Sequence, residues 1–291
     1  MDTEGRLERY RLADRWPTGE SLAAMLDAQQ AAFAAVRQAL PQLTVAVQSA
    51  AARLRRSGRL VYVGAGSSGR LAVQDGVELW PTFAWPHDRL VYLVAGGADA
   101  LVRSKEGAED DAAAGAAEIA GHAVGADDVV IGVAASGTTA YTRAAVRTAR
   151  ERGALTIGMA CNPAAPLLAE AEIGVLLHTG PEFLAGSTRM AAGSAQKMAL
   201  NLLSTQLMME LGRIYDGLMV HVVPSNAKLV ERAVRMVGTL TAAAPDDARS
   251  AYERAGRSIP LAVLLLDGLD EVEARDRLAA AGGDLRKARR R

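Results

Sequence analysis

The chain has 291 residues, half of them apolar and only 4% aromatic, with 33 basic and 33 acidic side chains. Such a composition can bury a sizeable core of Ala, Val, Leu and Met, and the absence of a basic excess argues against a nucleic-acid or membrane-surface partner. A single cysteine, Cys161, excludes an internal disulfide and fits a reducing compartment. The opening stretch MDTEGRLERY is charged rather than signal-like, and the longest aliphatic run, LAVLLL at 261–266, is too short to span a bilayer. The expectation is a soluble, cytoplasmic protein whose basic end, RKARRR from Arg286, is a solvated helix terminus.

In chain order, residues 1–45 read as a helical segment, with SLAAMLDAQQAAFAAVRQAL carrying an apolar stripe at helical spacing. Five short, near-continuous apolar runs follow: RLVYVG (59–64), RLVYLVAGG (89–97), DVVIGVAAS (128–136), ALTIGMA (154–160) and EIGVLLH (172–178). Runs of this kind suit strands buried on both faces. Helix-forming stretches separate them, including LVRSKEGAEDDAAAGAAEIAGHA and AYTRAAVRTARERG, so the pattern predicts an α/β fold with a five-stranded parallel sheet. A long helix is expected from Ser187 to about Gly217. The composition shifts near TAAAPDDARS, which places a sheet domain over 46–240 and a small helical bundle over 241–291.

The first run ends in VGAGSSGR, where Gly64, Gly66 and Gly69 meet the spacing G-x-G-x-x-G. A dinucleotide site also needs an acidic residue about 20 positions on, at the end of the second strand. That strand ends AGG, and Asp88 precedes it instead. Ser67 and Ser68 suit another ligand, because hydroxyls added to the free N–H groups of a helix N-terminus favour a single phosphate. An ordinary capping serine in a tight turn is the competing reading. The third run tips the balance, since it ends in a second hydroxyl-rich turn, AASGTTAYT, containing Ser136, Gly137, Thr138 and Thr139. In a flavodoxin-like strand order both turns flank the crevice where such sheets bind ligands.

These paired loops resemble the sugar isomerase (SIS) superfamily of phosphosugar-binding domains. More specifically, GAGSSGRLAVQDGVE, KEGAEDD, ACNP, GSTRMAAGSAQKMALN, and GLMV followed by SNAKLVERAVR resemble the N-acetylmuramic acid 6-phosphate etherase family in the same order. The resemblance runs from about Arg59 to Val237, and the tail is similar to that family's small helical bundle. It implies a three-layer αβα domain and a carbon–oxygen lyase that removes D-lactate from the C3 ether, leaving N-acetylglucosamine 6-phosphate after water adds. The substrate is then a phosphorylated amino sugar, with no cofactor and no metal. Three places depart from the family pattern. TEGRLERYRL lacks an Asn-Pro pair, LWP (79–81) stands for Cys-Pro-Pro, and Thr138-Thr139-Ala140 stands for Arg-Thr-Pro, which removes a cation near the expected phosphate.

Elimination beside a carbonyl needs a base for the C2 proton and an acid for the departing oxygen. The family pattern assigns these roles to Glu78 and Glu109, in either order. Glu78 lies in GVELWP, and Pro81 is expected to end its helix there, leaving the carboxylate at a helix C-terminus in apolar company. Both features favour the protonated form and suit an acid. Glu109 lies in KEGAEDD, three residues from Glu106 and so on the same face of a helix, a pattern that by itself describes a solvated surface. Arg70 completes the first turn. Glu182, Ser187, Thr188 and Arg189 in GPEFLAGSTRM either bind the sugar and the lactate carboxylate or cap the following helix. The four histidines show no ligand spacing.

Two further readings use the same fold, a phosphosugar isomerase and a non-catalytic sugar-phosphate sensor. A homodimer is expected, because AQKMALNLLSTQLMMELG (195–212) is apolar around much of its circumference. Glu78 stands ten residues beyond Ser68, roughly 15 Å along a helix, so it is expected to serve the partner subunit's site unless Gly76 bends the helix.

Overall fold

The computed structural model describes residues 2–103 and 105–290. Its chain forms α1 (Thr18–Ala28), α2 (Gln30–Gln38), α3 (Leu40–Leu54), β1 (Leu60–Gly64), α4 (Gly66–Val77), α5 (Leu79–Phe83), β2 (Leu90–Val94) and α6 (Ala112–Gly121). There follow β3 (Val129–Val133), α7 (Ala140–Glu151), β4 (Leu155–Ala160), α8 (Pro166–Glu170), β5 (Ile173–Leu176) and α9 (Ala191–Glu210). The chain continues with α10 (Ala227–Thr241), α11 (Pro245–Arg254), α12 (Ile259–Leu266), α13 (Glu271–Ala280) and α14 (Leu285–Ala288). By its internal contacts the chain divides into two compact units. One runs to Gly76 and then from Asp88 to Ser204; the other takes Val77–His87 and the chain from Thr205 onward.

The first unit is the expected parallel sheet, in the order β2-β1-β3-β4-β5. β1 pairs on one side with β2 and on the other with β3, so the direction of winding reverses between β1 and β3. One face of the sheet buries Val61, Val63, Val91, Leu93 and Val130 against Ile119 of α6 and Tyr141, Ala145 and Ala149 of α7. On this face a row of paired glycines, Gly132, Gly158 and Gly174, crosses β3, β4 and β5. A Cβ at Gly158 would stand 2.7 Å from the Leu167 carbonyl oxygen, and one at Gly174 2.6 Å from that of Leu168, so the row lets α8 lie almost on the strands. The opposite face carries α3, packed on β3, β4 and β5, and α4, whose Gly76 lies against the Tyr62 and Tyr92 rings. There Tyr62 and Tyr92 stack with centroids 6.0 Å apart.

The second unit is helical. Val220, Ala233, Val234, Val237, Tyr252, Val263, Leu264 and Leu285 share one core, so the segment 205–240 packs with the helices that follow it. Asn226, Ser258, Asp270 and Asp284 cap α10, α12, α13 and α14 through side-chain oxygens. The aliphatic run at 261–266 lies in α12, buried from Ile259 through Leu264. Among the described residues, no helix is long and apolar enough to cross a membrane.

Four local expectations are corrected. Pro81 does not end a helix: α4 stops at Val77, and Pro81 sits in the first turn of α5, where a missing N–H costs no hydrogen bond. Gly76 lies inside α4, which continues past it to Val77. A Cβ there would stand 2.4 Å from the Tyr92 ring and 3.0 Å from the Tyr62 ring, so the glycine serves close packing on the sheet. Glu106 and Glu109 share no helix, because Gly107, at φ +71°, separates a turn from a 3-10 turn at Ala108–Asp110. α6 begins only after Asp111, whose carboxylate accepts from the Ala114 N–H at 2.8 Å. The long helix starts at Ala191 rather than Ser187 and ends at Glu210, with turns on either side.

Candidate active site

Both hydroxyl-rich turns leave the C-terminal ends of adjacent strands, at the paired positions Gly64 and Val133. After β1 the backbone closes tightly on itself. A Cβ on Gly64 would lie 2.8 Å from the Gly69 Cα, and one on Gly69 would lie 2.9 Å from the Gly64 carbonyl carbon. α4 starts at Gly66, so Ser67 and Ser68 occupy its first turn. Ser67 is half-buried, and its hydroxyl has no hydrogen-bond partner among the described residues. Ser68 is buried, and its Oγ donates to Gln196 Oε1 of α9 at 2.9 Å. Arg70 turns away from the loop. Its Nε and Nη2 donate to the carbonyls of Ala100 and Leu101 at 2.9–3.2 Å, which ties the segment after β2 to α4.

The turn after β3 is more open. Gly137 adopts φ +68°, and a Cβ there would stand 2.3 Å from the Ala165 Cβ, so only glycine fits. Ser136 Oγ accepts from the Thr138 N–H at 3.2 Å and from the Thr138 hydroxyl at 3.1 Å. Thr139 precedes α7 in non-helical backbone without a side-chain cap bond, so the first N–H groups of α7 remain open to an acceptor. From below, Asn162 (4% exposed) supports the turn, with Nδ2 at 3.3 Å from the Ala135 carbonyl oxygen and 3.2 Å from that of Ser136.

The loop before α9 holds a buried carboxylate. Glu182 is buried, and its two carboxylate oxygens accept from the Ala191 and Ala192 N–H groups at 2.9 Å each, so it caps α9. Ser187 and Thr188 are half-buried and Arg189 is exposed, and none of their side chains has a hydrogen-bond or ion-pair partner among the described residues. Cys161 is fully buried, and burial, together with the charge of Glu182, pushes its thiol up to about 12, which makes it inert.

The two glutamates are surface residues of the chain. Glu109 is exposed in its 3-10 turn, and Glu78 is exposed in the turn between α4 and α5. The apolar company expected for Glu78 is incomplete, since Val77 and Trp80 are themselves exposed and only Leu79 turns inward.

A cluster that sequence reasoning did not single out anchors α4. The Asp75 carboxylate, 4% exposed, accepts from Tyr62 at 2.9 Å, Asn201 at 2.6 Å and Ser204 at 3.0 Å, while Lys197 donates to Asn201. Burial raises the Asp75 pKa, and the three hydrogen bonds oppose that shift. Asp75, Gln196 and Asn162 left one signal in the sequence: each is a polar residue inside an otherwise small or apolar stretch.

Residues 42–150 match the family model described as the glucokinase regulatory protein N-terminal SIS domain, and residues 113–206 match the SIS domain model. With the strand order and its two turns, these matches define a sugar isomerase (SIS) domain protein. The chain is also similar to curated relatives along nearly all of its length. It is 52% identical over 267 residues, 91% of this chain and 88% of the relative, to the N-acetylmuramic acid 6-phosphate etherase of Deinococcus radiodurans. To that of Rubrobacter xylanophilus it is 46% identical over 287 residues, 98% of this chain and 95% of the relative. The chain belongs to the N-acetylmuramic acid 6-phosphate etherase family.

Proposed function

We propose that this protein is a lyase that cleaves the C3 lactyl ether of N-acetylmuramic acid 6-phosphate. The observation that carries the reading is the pair of open helix N-termini, α4 and α7, rising from adjacent strands with the free Ser67 and Thr139 hydroxyls beside them. Their N–H groups and hydroxyls receive the phosphate, a role that needs no net positive charge. Thr138-Thr139-Ala140 supplies no side-chain cation to this turn, so the phosphate is held by backbone and hydroxyl donors. Ser187, Thr188 and Arg189 keep free donors for the sugar and for the lactate carboxylate.

In the ring-opened sugar the C1 aldehyde acidifies the C2 proton. A carboxylate, assigned to Glu109, removes that proton, and the electron pair forms the C2–C3 double bond as the C3–O bond breaks. The lactate oxygen leaves with a proton from the second carboxyl, assigned to Glu78. Water then adds its oxygen at C3 and a proton at C2. Each proton transfer contributes roughly 10²–10⁴-fold. Glu78→Gln and Glu109→Gln are therefore expected to lose lactate release by at least that factor while still binding product.

The decisive measurement is lactate released from N-acetylmuramic acid 6-phosphate in heavy water. Lactate together with deuterium at C2 of the product supports the lyase. Exchange at C2 without lactate makes the protein an isomerase, and neither signal makes it a sensor.

We also propose a homodimer in which Glu78 serves the partner's site. Within the first unit large apolar side chains stay exposed, namely Leu22, Leu26 (72% exposed), Phe33 and Val45 on α1, α2 and α3 and Leu202 on α9, side chains of the kind a second copy would cover. Mixing Glu78→Gln with Glu109→Gln, each inactive alone, is expected to restore part of the lost activity, because one site of a mixed dimer then draws an intact Glu109 from one subunit and an intact Glu78 from the other. No recovery after demonstrated subunit exchange would place Glu78 in its own subunit's site, and a stable monomer at micromolar concentration would remove the dimer.

A further inference from the structure

Thr3 is fully buried, although it is polar and lies 159 residues from the side chain that holds it. Its N–H donates to Asn162 Oδ1 at 3.3 Å, and its Oγ1 accepts from Asn162 Nδ2 at the same distance. Its carbonyl accepts from the Gly186 N–H at 3.1 Å. Thr3 is thus fastened on one side to the residue that supports the Ser136 turn and on the other to the loop carrying Ser187, Thr188 and Arg189. The same Asn162 amide reaches the carbonyls of Ala135 and Ser136, so the position of Thr3 and the shape of the phosphate turn are set by one side chain.

The next residue extends this arrangement. Gly186 adopts φ +74°, and a Cβ there would stand 2.8 Å from Glu4 Oε2, so the glycine leaves room for that carboxylate. Glu4 is exposed and has no hydrogen-bond or ion-pair partner among the described residues. An ionised carboxylate only accepts hydrogen bonds. It stands on the loop of Ser187 rather than on the turn of Ser136, where it would oppose a phosphate. Sugar hydroxyls and an acetamido N–H are donors that complement it.

We infer that Thr3 and Glu4 belong to the phosphosugar site: Thr3, clasped by Asn162, is a positioning residue for the turn 136–139, and Glu4 is a specificity-determining acceptor for the sugar. This inference rests on the reading of that turn as the phosphate site. Burying Thr3 orders a segment of chain, and the clasp returns that cost as a preformed turn.

The test compares Thr3→Val, Asn162→Ala, Glu4→Gln and Ser136→Ala, reading kcat, KM, and inhibition constants for inorganic phosphate and for N-acetylglucosamine 6-phosphate. One lost hydrogen bond of ordinary strength corresponds to about three- to tenfold in binding. Thr3→Val and Asn162→Ala are expected to raise KM and both inhibition constants by that factor with kcat little changed, and Thr3→Ser is expected to restore them. Glu4→Gln is expected to raise KM and the product constant but not the phosphate constant. If Ser136→Ala weakens phosphate while Thr3→Val does not, the clasp is merely structural and the inference fails with the site intact. If Ser136→Ala leaves phosphate inhibition unchanged, the phosphate-turn reading itself fails. Should Asn162→Ala not fold, the Thr3→Val and Thr3→Ser pair decides. An unchanged KM in Glu4→Gln removes Glu4 from the site.

Discussion

The turns after β1 and β3 follow one recipe, a buried strand running into glycine and hydroxyl residues at the start of a helix, yet the tertiary structure uses their side chains differently. After β1, Ser68 is buried against Gln196 and Arg70 is spent on the Ala100 and Leu101 carbonyls, so this turn offers a ligand little beyond backbone N–H groups and Ser67. After β3, the support comes from outside the turn, through Asn162, and the hydroxyls of Ser136, Thr138 and Thr139 stay at or near the surface. The lesson concerns division of labour. A side chain that holds a turn in place is not available to hold a substrate, and similar sequences divide these tasks differently according to what packs behind them.

The sharpest way to test this contrast is to add one methyl group to each turn. Gly137→Ala combines a positive φ with a Cβ 2.3 Å from the Ala165 Cβ and is expected to cost about 3 kcal/mol, seen as a lower urea midpoint. Gly69→Ala keeps an ordinary φ and meets the Gly64 backbone at 2.9 Å and Val94 Cγ1 at 3.3 Å, and it is expected to cost about 2 kcal/mol. A smaller loss for Gly137→Ala than for Gly69→Ala would mean that the second turn relaxes and is not rigidly formed.

The next effect separates binding from stability. Ser136→Ala is expected to raise KM by up to about tenfold with little change in melting temperature, the mark of lost uniform binding. Ser68→Ala leaves Gln196 Oε1 buried without its partner and is expected to cost about 1–2 kcal/mol of stability, with a smaller change in KM. Reversed outcomes would exchange the roles assigned to the two turns.

The smallest effect is a pH dependence confined to the first turn's helix. Asp75 anchors α4, and burial holds its folded pKa above the ordinary 3.8 despite three hydrogen bonds. A carboxyl with a raised folded pKa contributes stability below its unfolded pKa and loses that contribution as pH rises through the folded value. Asp75→Asn is therefore expected to gain in melting temperature relative to the wild type as pH rises from about 4 to 7. A gain by the wild type instead would show that the hydrogen bonds outweigh burial. The turn after β3 and its support contain no carboxylate, so no matching trend is expected in Asn162→Ala.

What the amino-acid sequence determined by itself was periodic or local. Apolar runs of strand length between helix formers imply a parallel sheet, because only strands covered on both faces tolerate such uniform hydrophobicity. The glycine turns at Gly64 and Gly137 were equally legible, since few other residues fit where backbone meets backbone or φ turns positive. What only the tertiary structure decided depends on partners distant in the chain. The pairing of Thr3 with Asn162 and of Ser68 with Gln196 leaves no spacing to read. Nor could sequence choose whether Glu182 binds a ligand or caps a helix, because a carboxylate before a helix suits either task until the fold shows where its two oxygens point.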